Sequence, residues 1–120
     1  MGSPVGTTVG NSSGNVANVN AVATLAAVSG KANYLSTVRM TAAGATAGSV
    51  VVATITGVLG GPLSYVFSTP AGATVGASPL VLNFDPPLQS TGPNTAIVCT
   101  LPALGAGNTN AVVSISGFTV

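Results

Sequence analysis

Histidine and tryptophan are absent from this 120-residue chain, cysteine occurs once, and charged side chains make up 2% of it. The charged residues are Lys31, Arg39 and Asp85. General acid–base catalysis rests on a positioned histidine or a pair of carboxylates, and neither is present. A metal centre needs several converging ligands, and Asp85 and Cys99 are the only residues of the usual ligating types. Nucleic-acid affinity comes from clustered lysine and arginine, which two isolated cations do not supply. No catalytic, cofactor-binding or metal-binding residue is therefore expected, and no enzyme. A structural or binding module remains.

Low charge also accompanies membrane residence and disorder. Met40 to Phe84 holds no charge, yet its apolar residues are interrupted every few positions, as in Val50-Val51-Val52-Ala53-Thr54-Ile55-Thr56-Gly57. A membrane helix needs about 20 mostly apolar residues in a row, and no such window occurs. Disordered chains combine low hydrophobicity with high net charge. Here 47% of residues are hydrophobic and the formal net charge is +1. A lone Cys99 allows no internal disulfide, and Met1-Gly2-Ser3-Pro4-Val5-Gly6 shows no secretory signal, so synthesis in a reducing cytosol is expected.

What the chain does have is β-branched residues, 16 glycines and 8 prolines. Residues 1–20, rich in Gly, Ser, Thr, Asn and Val, hold no period of 2 or 3.6 and read as an extended N-terminal arm. Deleting Met1–Asn20 is expected to weaken attachment to a neighbour more than folding. Residues 21–120 read as one β-sandwich domain, jelly-roll-like, of about seven to eight strands. The candidate strands are Val22–Val28, Asn33–Ala42, Ser49–Val58, Leu63–Thr69, Pro79–Asp85, Thr95–Leu101 and Ala111–Val120.

Alternation assigns faces. Tyr34, Val38 and Met40 should share one side and Thr37, Arg39 and Thr41 the other. Leu63, Tyr65 and Phe67 should oppose Ser64 and Ser68, and Leu80, Leu82 and Phe84 should oppose Asn83 and Asp85. Turns are expected at Ser29-Gly30-Lys31, Gly60-Gly61-Pro62, Asp85-Pro86-Pro87 and Gly92-Pro93-Asn94. Ala43-Gly44-Ala45-Thr46-Ala47-Gly48 echoes Ala71-Gly72-Ala73-Thr74-Val75-Gly76, which reads as reuse of one turn. Thr95–Leu101 and Ala111–Ile115 are uncharged on both faces, and large low-charge surfaces mark contact with other protein.

The polar singletons have plain readings. Asp85 reads as a turn-initiating residue, Lys31 as a soluble turn, and Arg39 as a solvated cation or an ion-pair partner across a contact. Cys99 reads as a buried, inert thiol. Tyr34 and Tyr65 read as aromatics at the core's edge. Asn11-Ser12-Ser13 fits the glycosylation pattern by chance alone.

Asn15 to Asn18, Ala21 to Ala27 and Gly30-Lys31-Ala32-Asn33-Tyr34-Leu35 resemble small virion proteins of tailed bacteriophages. So do Phe84-Asp85-Pro86-Pro87-Leu88, the Gly105 to Asn110 turn, and Gly117-Phe118-Thr119-Val120. The resemblance spans about Asn15 to Val120. It implies a jelly-roll capsid decoration (cement) protein: a homotrimer on the outer surface of a phage head, made in the host cytoplasm. Its partner would be the major capsid protein, with no nucleic acid, membrane or cofactor. A tail or head-fibre component with a receptor- or glycan-binding sandwich is the alternative. A cupin- or lyase-type enzyme is disfavoured by the missing histidine.

Overall fold

β-branched residues at alternating positions lose little by extending, and each places one side chain in the core and the next outside. In the computed structural model, which describes residues 6–72 and 74–120, they build eight strands. These are β1 (Thr7–Ser12), β2 (Ala21–Leu25), β3 (Asn33–Ala42), β4 (Ser49–Thr56), β5 (Leu63–Thr69), β6 (Leu80–Gln89), β7 (Ile97–Leu101) and β8 (Ala111–Thr119). No helix forms among the described residues.

Two four-stranded antiparallel sheets result, ordered β1-β8-β3-β6 and β2-β7-β4-β5. In each sheet the outer pairs join the first strand to the last, the second to the second last, and so inward. That is a long hairpin rolled over itself: a jelly roll, the β-sandwich expected.

The sheets face each other across a core of Leu25, Leu35, Val38, Met40, Ile55, Ile97, Leu101 and Val113, all essentially without solvent exposure. Each such aliphatic side chain contributes about 1.5–3 kcal/mol by leaving water.

Several expectations change. The segment read as a separate arm is, over Thr7–Ser12, a sheet strand. β1 pairs with β8 from Thr7↔Thr119 to Ser12↔Ser114, and Val9 and Val16 pack on the core. Met1–Val5 lie outside the described residues. Asp85-Pro86-Pro87 is no turn but lies inside β6, which runs on to Gln89. An edge strand accepts proline because the missing N–H faces no neighbour. The pairing skips there, from Thr37↔Asn83 to Leu35↔Leu88.

Tyr34 also moves. Opposite β8, Leu35 pairs with Gly117 and Thr37 with Ser116, so Ser36 is an extra, bulged residue. The bulge inverts the alternation on one side of it. Tyr34 stands outside with Arg39 and Thr41, while Leu35 joins Val38 and Met40 in the core. A Cβ at Gly117 would collide with the Tyr34 carbonyl, so the bulge needs glycine across from it.

The two echoed segments meet in space. Gly44 N–H donates to Val75 O at 2.8 Å, and Gly72 N–H donates to Ala45 O at 2.7 Å. A Cβ on Gly44 would strike the carbonyls of Pro70 and Gly72. The echo therefore marks two mutually hydrogen-bonded loops rather than one turn used twice.

Candidate interaction surface

Inward side chains of β2-β7-β4-β5 are spent on the core, which leaves the outward set to define the surface. The paired rows are Thr24, Val98 and Thr56; then Val22, Thr100, Thr54 and Ser64; then Val52 beside Val66, and Val50 beside Ser68. No charged residue occurs among them. Val50 is 69% exposed, Val66 71% and Val52 48%.

The apolar exposure is concentrated on β4 and β5. The sequence points instead to β7 and β8, whose outward Val98, Thr100, Val112 and Ser114 are half-buried. Val98, Thr100 and Ser114 have paired neighbours on both sides, whereas β4, also a central strand, meets β7 only over Thr54–Thr56 and has β5 alone beside Val50 and Val52. Strand register, not composition, decides which valines meet water.

The other outer face differs. Tyr34, directly opposite Phe118 on the neighbouring strand, stacks on it with ring centroids 5.0 Å apart and planes 10° apart. Exposed Arg39 stands on the same face between Val81 and Ser114. Asp85 is exposed on β6 of this sheet, and Lys31 is exposed in the two-residue turn closed by Lys31 N–H to Val28 O at 3.1 Å. All three charges thus lie off the valine-rich face.

The two lateral sides of the sandwich are also unlike. On one, Asn11 of β1 accepts the Thr24 N–H of β2 at 2.9 Å and ties the sheets together. On the other, a groove of about 580 Å³ lies open between β5 and the approach to β6, lined by Val66, Phe67, Pro70, Ser78, Pro79 and Leu80.

The chain matches no family model, no curated protein and no solved structure. Function must therefore be argued from its own residues.

The ends of the sandwich are held by amides rather than ions. At one end Asn15 donates to Asn110 Oδ1 at 2.9 Å and accepts from Ala111 N–H at 3.1 Å. Asn18 Oδ1 accepts from Gly105 N–H, and Asn108 Nδ2 donates to Ala43 O at 2.8 Å. At the other end, buried Asn33 donates through Nδ2 to the carbonyls of Leu25, Ala26 and Thr95 at 3.3, 2.9 and 3.1 Å. Its backbone N–H donates to Ser90 Oγ at 3.1 Å. These asparagines are structural.

Cys99 sits in the core of β7 with no solvent exposure, and burial pushes its thiol up from 9.0 to about 12. A thiol so disfavoured as thiolate is a poor nucleophile. It lies in the opposite sheet from exposed Asp85, so the two do not converge. Tyr65 lies half-buried on the core side of β5, opposite Ala53.

Proposed function

We propose that this chain is a structural virion protein that decorates a phage head, laying the outer face of β2-β7-β4-β5 on the major capsid lattice. The observation that carries this reading is the exposed row Val50, Val52 and Val66 on a sheet face without a charge. An apolar face that solvent would otherwise cover gains by burial against protein. The resemblance to phage virion proteins supplies the partner, and the jelly roll is an architecture used by viral capsid domains.

Magnitudes set how such a face works. Four strands about 4.8 Å apart, each contributing about six residues, span roughly 19 by 20 Å, or ~400 Å². At about 25 cal/mol per Å² of apolar area, the ceiling is ~10 kcal/mol, and the threonines and serines among the outward residues bring it below that, no more than the cost of immobilising a protein. One face therefore holds weakly, and stable decoration rests on many copies engaged together.

The test is quantitative mass spectrometry of purified virions. Hundreds of copies per particle support the head lattice. A few copies per particle point to a tail or fibre component, and absence from the particle overturns the virion reading.

A further inference from the structure

β5 differs from the other three edge strands. β1 and β2 are joined by the Asn11 to Thr24 bond, and β6 carries Asp85, Pro86 and Pro87. Charge, proline and covering are the usual ways a sheet edge is protected from a foreign strand. β5 has none of them. It is seven residues long, without charge, proline or glycine, and keeps unbroken register with β4 from Ser49↔Thr69 to Ile55↔Leu63. Its far side borders the open groove, with no other strand paired to it.

The sequence of that edge is a near-palindrome. Ser64-Tyr65-Val66-Phe67-Ser68 reads serine, aromatic, valine, aromatic, serine in both directions. Two such strands laid antiparallel with Val66 at the centre meet like with like: Ser64 faces Ser68 of the other copy, Tyr65 faces Phe67, and Val66 faces Val66. Matched cross-strand aromatic and β-branched pairs are the ones that stabilise a sheet. A contact in which one patch meets itself is what a twofold axis requires.

We propose that β5 is a self-association edge, pairing antiparallel with β5 of a second copy across a twofold axis at Val66. The two β2-β7-β4-β5 sheets then become one of eight strands. Exposed Val52 and Val66 of each copy form a continuous row across the junction, and the neutral groove beside Phe67 is covered. Backbone hydrogen bonds supply the attraction, so no charge is needed. A seven-residue edge is roughly 23 Å long. Such a contact belongs to the small class of interfaces, so the pairing is reversible and depends on concentration. The inference stands apart from the capsid reading, because it concerns the isolated chain.

The experiment is analytical ultracentrifugation of the full chain over a concentration series, with three variants. Wild type should shift from monomer to dimer as concentration rises. Val66→Lys should weaken the dimer by about tenfold or more while the melting temperature stays put, since Val66 is exposed. Val66→Cys should give a disulfide-linked dimer on mild oxidation. Val22→Cys, on the far edge of the same sheet, should not, and buried Cys99 contributes no cross-link. A trimer, a monomer at every concentration, a dimer indifferent to Val66→Lys, or equal cross-linking at positions 22 and 66 would each overturn the proposal.

Discussion

At the scale of single residues, Asn33 and Gly117 carry more of the fold than their side chains suggest. The Asn33 amide answers three carbonyls from two loops, at a position 1% exposed. Replacing it by alanine leaves those groups without their donor, at about 1–3 kcal/mol for each that finds no water. Asn33→Ala should lower stability by about 3 kcal/mol, measured as a shift of the urea midpoint at constant slope. Gly117→Ala should cost about 2 kcal/mol or more, because the added methyl meets backbone at the Ser36 bulge rather than a side chain that can turn aside.

Cys99 gives the fold a pH signature. Its pKa is higher in the folded chain, so the folded state holds its proton after the unfolded state has released it. Stability owed to the neutral thiol is complete below about 9 and is lost as pH rises towards about 12. Between those limits it falls by about 1.4 kcal/mol per pH unit. Cys99→Val, compared with wild type by denaturant titration across pH 8 to 12, should remove that part of the alkaline decline.

Among the elements, β1 changes the most relative to its sequence. Its Gly, Asn and Ser content shows no alternation, yet six residues pair with β8, and Asn11 closes the edge of β2. Deleting residues 1–20 should therefore lower the melting temperature by several degrees, which weighs against the expectation that attachment to a neighbour suffers more than folding. Circular dichroism melting of the truncated chain checks this. The inversion at Tyr34 has the same origin. Leu35 and Val38 are three apart, which a strict period of two cannot place on one face, and that spacing was the available sign of a bulge.

The whole molecule has one valine-rich face and one face that carries Arg39, with the charges set apart from the proposed contact. Docking through the neutral face should be nearly indifferent to sodium chloride, since there is little Coulomb attraction to screen. Sulfate should strengthen it by favouring burial. Arg39→Ala should leave occupancy almost unchanged. Occupancy of stripped phage heads across a salt series, for wild type and Arg39→Ala, measures both. A steep loss of wild-type binding in sodium chloride would replace apolar burial with ion pairing as the mechanism.

Local chemistry determined the class of this protein. β-branched alternation and turn residues specify strands and reversals within a few positions of the chain, so Asn33–Ala42 and Leu63–Thr69 were legible to the residue. The lack of histidine and the scarcity of charge were equally local facts. Which strand lies beside which depends on contacts distant in sequence, and only the tertiary structure decided it. That ordering made β1 and β5 edges, and the register left Val50 and Val52 of central β4 beyond the end of β7, in water with Val66 of β5. Apolar residues on both faces of β4 carry no mark of which face is buried. Burial is a property of the neighbours, and the neighbours come from the fold.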